Sequence, residues 1–314
     1  MNKTAIIILN YNNASDTINC IESVCLYEAT DIIKIVVVDN CSNNSTIKDI
    51  DDYITLKFSN SLILYEAEIE EVNILPFITH LKLASNYGYA RGNNFGLSLI
   101  YNDCEIERVM ILNNDVILVE EILSKIIYNL ETLNKAAIVS PLLINKEGKI
   151  DYNCARLVTS SMELLIQHTF LAQKIKFFKR QLDKRFILKN TNRRNGVLEI
   201  QLPSGSCMLM MKSFINNIHG FDPNTFLYLE EDILYEKIKK NEYKNYLNLD
   251  VKVIHLGAST TEKSNSVFVL KATSKSVIYF MTNYLYSPFY IVFIMKLILI
   301  IRILKEKIRN KYFK

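Results

Sequence analysis

Asn113-Asn114-Asp115 has the residue types and the position to bind a divalent cation. The tripeptide follows an apolar run at 109–112, typical of a buried strand, and precedes a second apolar stretch at 116–119. A carboxylate at a strand end beside amide side chains suits Mg²⁺ or Mn²⁺, which fill their remaining positions with water and diphosphate oxygens. An aspartate that caps a turn is the alternative for this tripeptide taken alone.

Glu230-Glu231-Asp232 is a candidate proton-accepting group. These acids follow the aromatic cluster at 226–228, and neighbouring apolar rings favour a raised carboxyl pKa in one of them. The alternative is a solvated acidic helix start that complements the helix dipole. His255, at the end of a predicted strand at 251–254, is either a metal or phosphate ligand or a histidine with structural hydrogen bonds only.

Residues 86–96 form a polar loop with three glycines that opens a predicted helix. Glycines let the backbone approach a ligand closely, and Arg91 near a helix N-terminus favours phosphate. The loop is not a P-loop, because no Gly-Lys-Ser/Thr follows, and its spacing differs from the dinucleotide fingerprint. It indicates an anionic ligand.

Strands and helices alternate through the first 115 residues, which predicts a right-handed parallel α/β sheet. The first helix is expected at 14–28 with Ser15 or Asp16 as N-cap. Because the carboxyl ends of parallel strands lie on one edge, the polar clusters that follow the strands should converge on one crevice. Any single cluster taken alone could be an ordinary turn. The predicted strands cover 5–9, 35–38, 80–84 and 109–112, and the polar clusters 10–12, 39–40, 85–88 and 113–115.

In this order, the segments over roughly residues 4–260 resemble family-2 glycosyltransferases of the GT-A fold, of the rhamnosyltransferase-like type. Residues 7–12 look like the opening strand and nucleotide loop, and Asp39 stands where the family has the Asp that holds the base or ribose. Residues 113–115 stand at the D-x-D metal motif, and residues 220–232 resemble the acceptor-side segment. The nucleotide-sugar ligands that this resemblance implies are Asn10, Tyr11, Asn12, Asp39, Asn86, Gly88, Arg91, Asn94, Asn113 and Asn114.

The resemblance also implies a cation site at Asp115 and His255 and a catalytic group among Glu230, Glu231 and Asp232. This sequence departs from the family pattern at Asn113, which leaves one carboxylate in the metal motif. The base is Glu231 by alignment or Asp232 by identity, and Glu231 is favoured.

The implied fold is a single Rossmann-like α/β domain at 1–265 with a mixed, mainly parallel sheet. Residues 1–118 would bind the nucleotide sugar and 119–265 the acceptor, followed by membrane-associating helices at 266–314. The implied reaction is inverting transfer from a UDP-, dTDP- or GDP-linked donor to a glycan or lipid-linked acceptor in bacterial cell-surface polysaccharide synthesis. Asp115, its cation and Arg91 would neutralise the leaving group. A non-catalytic sugar-nucleotide binder and a nucleotidyltransferase are the alternatives.

Basic residues concentrate in two segments, although the formal net charge is only +4. Residues 174–194 hold nine basic residues and one acid, and residues 302–314 hold six and one, so acids outnumber bases elsewhere. The apolar run at 289–301 is shorter than the ~20 residues of a membrane span. An interfacial or re-entrant helix is favoured over a true span or a core helix, with a membrane surface contacted through 277–314 and possibly 174–194. Nucleic acid is not expected as a partner.

The six cysteines form no C-x-x-C pair, and the apolar run at 5–9 is too short for a signal peptide. A cytoplasmic protein with reduced thiols, peripheral on the inner face of the cell membrane, is therefore expected.

Overall fold

A computed structural model describes residues 2–169, 174–257 and 266–312 of the chain. The predicted domain boundary at residue 265 and the last two residues of the predicted membrane-associating region lie outside the described residues.

Over residues 2–118, which the structure describes throughout, an α-helix follows the first, second and fourth strands, whereas no α-helix separates the third strand from the fourth or the fifth from the sixth. The strands are β1 Lys3–Asn10, β2 Ile33–Asp39, β3 Ser61–Tyr65, β4 Ile78–Lys82, β5 Ile106–Asn113, β6 Val116–Leu118, β7 Ala136–Ile144, β8 Ala155–Arg156, β9 Val197–Ile200, β10 Leu202–Pro203, β11 Cys207–Met211 and β12 Lys244–His255. The helices are α1 Ala14–Tyr27, α2 Asn44–Lys57, α3 Gly88–Tyr101, α4 Leu123–Thr132, α5 Ser161–His168, α6 Lys176–Asp183, α7 Lys212–Asn217, α8 Glu230–Lys240, α9 Ser266–Asn283 and α10 Phe289–Tyr312.

In the part of the chain that the structure describes, ten strands form one sheet in the order β3-β4-β2-β1-β5-β11-β7-β12-β6, with β9 also paired to β12. The first five strands in this order are parallel, and β11 runs antiparallel to β5 and β7. Strands β1 and β2 are almost entirely buried, as expected for apolar runs that helices cover on both faces. The predicted mixed, mainly parallel sheet is confirmed.

Alternate residues of each central strand enter cores on opposite faces of the sheet. Ile6 and Ile8 of β1 belong to the core cluster that includes residues of α1, α2 and α4, whereas Ile7 belongs to the cluster that includes residues of α3, α7 and α8. This period of two fixes the strand register, because a slip of one residue would exchange the two faces.

Two predicted boundaries were wrong. The N-cap of α1 is Asn13, whose side-chain oxygen accepts a hydrogen bond from the Asp16 amide at 3.4 Å, because the chain turns directly after β1. The strand predicted at 80–84 begins at Ile78, where its pairing with β2 starts, and ends at Lys82. Strand β3 was not predicted.

The two C-terminal helices pack together and against α5 and α8. Phe280 of α9 and Met295 of α10 are fully buried in a third cluster that also contains Leu164 of α5 and Ile233 of α8. None of the helices in the described residues is both long and apolar enough to cross a membrane.

Candidate active site

The polar clusters that follow β1, β2, β4 and β5 meet in one cavity of about 860 Å³ at the carboxyl edge of the parallel strands. The predicted convergence of these clusters is therefore confirmed. Of the predicted site residues, those lining the cavity are Asn10, Tyr11, Asn12, Asn86, Gly88, Asn113, Asn114, Asp115, Glu230, Glu231 and His255.

A buried hydrogen-bond network locks the ends of β1, β2 and β5 together. Asn10 Nδ2 donates to Asp39 Oδ2 at 2.6 Å, and the Ser42 amide donates to Asp39 Oδ1 at 2.7 Å. Asn114 Nδ2 and Asn10 Oδ1 both contact Thr17 Oγ1, at 3.0 and 2.9 Å. Asp39 is fully buried behind the lining formed by the described residues. It therefore positions Asn10, and its predicted contact with a base or ribose stays a prediction.

At Gly88 the loop after β4 contacts the backbone of Phe226, in the segment of residues 220–232. Asn40 Oδ1 accepts from the Tyr87 amide at 2.9 Å, and Asn40 Nδ2 donates to the Gly88 carbonyl at 3.1 Å. Gly88 has φ +79°, and a Cβ atom there would lie 2.3 Å from the carbonyl oxygen of Phe226. Both the backbone conformation and the close approach require glycine.

Arg91 and Asn94 are not among the described residues that line the cavity. The exposed Arg91 guanidinium carbon lies 4.6 Å from the centre of the Tyr87 ring. The Asn94 side chain bonds both the amide and the carbonyl of Phe221, at 2.9 and 2.8 Å. Neither side chain has a contact that shows a ligand site, so their predicted roles as nucleotide-sugar ligands stay predictions.

Asp115 and His255 are neighbours because β6 pairs antiparallel with β12, which sets Val116 opposite His255. Asp115 Oδ2 lies 3.5 Å from His255 Nε2, and Asp151 Oδ2 lies 3.1 Å from His255 Nδ1. Burial disfavours the imidazolium, but hydrogen bonds and attraction to the two carboxylates outweigh burial and raise the pKa of His255 to about 9.

Asp115 and His255 would hold a cation that takes most of its ligands from elsewhere and that displaces the proton from His255. Asp115 Oδ1 is buried and has no hydrogen-bond partner among the described residues. Asp151 beside Nδ1 orients the imidazole in the way that carboxylates orient metal-binding histidines. The described residues contain no group of three His, Cys, Asp or Glu that could hold a metal, so water and diphosphate oxygens would complete the coordination shell.

Glu231 lies in the cavity with its carboxylate held in place. Its Oε1 accepts a hydrogen bond from the Gly205 amide at 3.0 Å and lies 3.8 Å from Arg156 Nη2. Tyr89 Oη donates to the Gly205 carbonyl at 2.7 Å. A Cβ atom at Gly205 would approach Glu231 Oε1 and Tyr89 Oη to 2.9 Å each, so this contact depends on glycine.

The other two acids have different surroundings. Asp232 is buried outside the cavity lining of the described residues, with the Thr159 amide 3.4 Å from its Oδ1, and the choice between Glu231 and Asp232 as the base stays a prediction. Glu230 lines the cavity but is buried, and its Oε1 has no partner among the described residues. Burial, followed by repulsion from Glu231, raises the pKa of Glu230 to about 8, so it is mostly protonated at neutral pH.

The cavity or positioning residues missed in the sequence include Tyr89, Asp151, Gly205, Ser206 and Phe268. Gly205-Ser206 directly precedes the apolar run of β11, and an antiparallel strand starts at the edge where the parallel strands end. The position of Gly205-Ser206 directly before this apolar run could therefore have indicated that both residues lie at the ligand edge of the sheet. Asp151 gave none, because its contact with His255 depends on the pairing of β7 with β12.

A sequence model described as "Glycosyl transferase family 2" matches residues 5–218, more than half of the chain. The chain belongs to glycosyl transferase family 2. Its fold is of the GT-A type. A curated relative, the low-salt glycan biosynthesis hexosyltransferase Agl10 of Haloferax volcanii, is 23% identical over 238 residues, which are 76% of this chain. The chain spans only 62% of the length of that relative.

Two solved structures share the fold. A crystal structure of GalNAc-T7 with UDP, GalNAc and Mn²⁺ aligns over 91% of this chain and 50% of its own, with a TM-score of 0.60 and 12% identity. The S. aureus TarS 1-349 structure aligns over 90% of this chain and 66% of its own, with a TM-score of 0.51 and 12% identity. At this identity the likeness concerns the fold alone.

Proposed function

We propose that this family-2 glycosyltransferase moves a sugar, with inversion, from a nucleoside-diphosphate donor to a hydroxyl group of a glycan or lipid-linked acceptor. The observation that carries the proposal is that Asp115, with a buried carboxylate oxygen lacking a described partner, and Glu231, a fixed carboxylate, line the same cavity.

The donor would lie against the strand ends. Residues 10–12, Asn86 and residues 113–114 present amide, hydroxyl and backbone groups suited to a nucleotide and its sugar. Asp115 and His255 would hold Mg²⁺ or Mn²⁺, which supplies charge neutralisation for the departing diphosphate. The UDP-, dTDP- or GDP-linked identity of the donor is part of this proposal.

Glu231 would act as the general base. It accepts the proton of the acceptor hydroxyl while that oxygen bonds to the anomeric carbon and the bond from this carbon to the diphosphate oxygen breaks. The Gly205 amide and Arg156 hold the Glu231 carboxylate in place for this step. Protonated Glu230 is unsuited to accept a proton at neutral pH.

A cytoplasmic location at the inner face of a bacterial membrane, in surface polysaccharide synthesis, completes the proposal. Helix α10 exposes apolar side chains beside basic ones, which suits an anionic lipid surface. Helix α6 adds exposed Phe177 among basic residues. The exposed apolar residues of α10 are Phe289, Tyr290, Phe293, Ile294, Leu297, Ile300, Ile301, Leu304 and Ile308.

A donor screen tests the catalytic proposal. UDP-, dTDP- and GDP-sugars are added with Mn²⁺, and the melting temperature and the release of nucleoside diphosphate are measured. We expect one donor to stabilise the chain, by about 2.7 kcal/mol at a hundredfold excess over Kd, and to be hydrolysed slowly. Stabilisation without release would favour a sugar-nucleotide binder, and no response to any donor would contradict the proposal.

Flotation with vesicles tests the membrane proposal. The chain should float with vesicles that contain phosphatidylglycerol and not with pure phosphatidylcholine, and Leu297→Asp combined with Leu304→Asp should abolish flotation. Binding of this double variant at the wild-type level would contradict the assigned surface.

A further inference from the structure

Part of the cavity lining is aromatic and comes from segments outside the matched family region. These are residues 226–228 before α8 and Phe268-Val269 in the first turn of α9. The rings of Phe226 and Phe268 contact edge to face, with centroids 5.4 Å apart and planes at 89°. Helix α9 therefore supplies a wall of the active-site cavity.

Hydrogen bonds fix α9 to the loop that carries this aromatic wall. Ser276 Oγ donates to the Leu227 carbonyl at 3.0 Å, and Tyr279 Oη donates to Asp222 Oδ2 at 2.9 Å. Tyr284, between α9 and α10, donates to the same Asp222 oxygen. The position of Phe268 is thus set by the same loop that places Phe226.

Two residues of this loop have a strained backbone conformation that places the loop in the cavity lining. Tyr228 and Leu229 are consecutive left-handed residues, with φ of 69° and 70°. Non-glycine residues in this region cost of order 1 kcal/mol each and persist where the surroundings hold them. The turn places residues 226–228 in the cavity lining and lets α8 begin at Glu230, so the aromatic wall directly precedes the proposed base.

Two of the three aromatic rings at this wall are partly open to solvent, which a packing role does not explain. Phe268 is 51% exposed and Tyr228 46% exposed, although both line a cavity. A pyranose ring has a face of C–H groups that removes such apolar surface from water, while its hydroxyls bond polar groups at the edge. Residues 226–228 belong to the segment that directly precedes Glu231 and line the same cavity, although the Phe226 carbonyl also contacts Gly88 of the loop after β4.

We propose that Phe226, Tyr228 and Phe268 form an acceptor subsite that binds the C–H face of a pyranose ring and so presents its hydroxyl to Glu231. This inference rests on the proposed function, because it assumes sugar transfer in this cavity.

The absence of tryptophan from the sequence gives a direct test. Phe268→Trp places a single fluorescent reporter in the subsite, and Phe293→Trp is a matched control, because Phe293 is also 51% exposed but lies on α10 outside the cavity lining of the described residues. Methyl pyranosides of glucose, galactose, mannose and rhamnose are titrated in the presence of UDP and Mn²⁺. We expect a saturable change of emission with at least one pyranoside in Phe268→Trp and none in Phe293→Trp.

Two results would overturn the inference. One is the absence of a saturable change in Phe268→Trp, or an equal change in the control. The other is a saturable change with UDP alone, which would place the ring on the donor side.

A kinetic arm uses the pyranoside that responds. Phe268→Ala should raise its KM by roughly tenfold, the value of one aromatic contact, with UDP binding unchanged, whereas Phe293→Ala should have no effect. Phe268→Leu keeps an apolar contact to Phe226 and controls for misfolding through its melting temperature. An unchanged KM in Phe268→Ala would also overturn the inference. If instead no sugar nucleotide binds or reacts with the wild-type chain, the proposed function fails.

Discussion

The two sides of the cavity are built in different ways. The proposed donor side consists of strand ends whose side chains bond one another, as in the contacts of Asn10 with Asp39 and Thr17. The proposed acceptor side consists of a loop with two left-handed residues, Tyr228 and Leu229, and a helix about 40 residues later, α9. The sheet therefore positions the first side, whereas the second depends on packing between distant segments. Substitutions should affect the two sides separately.

The largest effect on the donor side is expected from Asp115→Asn. It removes the carboxylate proposed to hold the cation, so kcat/KM should fall about 10²–10³-fold, as when other groups that stabilise transition-state charge are removed. The response to Mn²⁺ should also disappear. Donor turnover against Mn²⁺ concentration is the measurement, with Asp52→Asn on the exposed side of α2 as control. Full retention of the Mn²⁺ response would break the assignment of Asp115.

Gly88→Ala tests the link between the two sides. The substitution combines a left-handed backbone with a Cβ atom 2.3 Å from the Phe226 carbonyl oxygen, so unfolding free energy should drop by about 3–5 kcal/mol. Gly148→Ala is the matched control, because Gly148 has φ +74° but nothing within 4 Å of a Cβ atom, and it should lose only about 1–2 kcal/mol. Urea unfolding measures both. Equal losses of unfolding free energy in the two variants would mean that the close approach to Phe226 does not affect stability.

Glu28, directly after α1, tests whether the stability of the fold depends on pH. Its Oε1 accepts hydrogen bonds from the amides of Ile122 and Leu123 at the start of α4. Burial raises the pKa of Glu28 from 4.5 to about 7, so between these values the folded chain retains a proton that the unfolded chain releases. Stability should therefore fall as pH rises from 4.5 to 7, by about 3 kcal/mol from this group.

Glu28→Gln is the control for this pH dependence. It keeps an acceptor for the two amides but does not titrate, so the difference in urea stability between pH 5 and pH 8 should shrink. An unchanged difference would show that other groups cause it.

The smallest effect is expected from Arg91→Ala. Because Arg91 stacks on Tyr87 outside the cavity lining of the described residues, donor KM should change less than threefold, in line with the ~0.5–1 kcal/mol of an exposed cation–π contact. Donor titration in the same assay checks it. A loss of tenfold or more would return Arg91 to the phosphate-binding role that the sequence suggested.

The contrast between strand ends and contacts of distant segments also explains which features could be predicted from the sequence. Apolar runs such as 35–38 that end in polar residues identify buried strands and their ligand edge, so the sheet and the donor-side cluster were predictable. Local spacing around Arg91 indicated phosphate, but the direction in which a helix turns its side chains depends on where the helix begins, and α3 begins at Gly88.

Contacts between distant segments were not predictable. Which of Glu231 and Asp232 lines the cavity depends on the packing of α8, which turns Asp232 toward Thr159 and Glu231 toward Gly205. The contribution of Phe268 to the cavity depends on hydrogen bonds between α9 and the loop that contains Asp222. No periodicity in the sequence records such contacts.

The most direct test of the proposed mechanism is to measure donor turnover and UDP binding in Glu231→Gln. We expect kcat to fall by ~10²–10⁴-fold, the usual contribution of a general base, while the Kd for UDP stays within twofold of the wild-type value. Asp232→Asn should retain most of the kcat per folded molecule, because Asp232 lies outside the cavity lining of the described residues. Near-normal kcat in Glu231→Gln, or loss of UDP binding in parallel with kcat, would contradict the assignment of Glu231 as the base on the acceptor side.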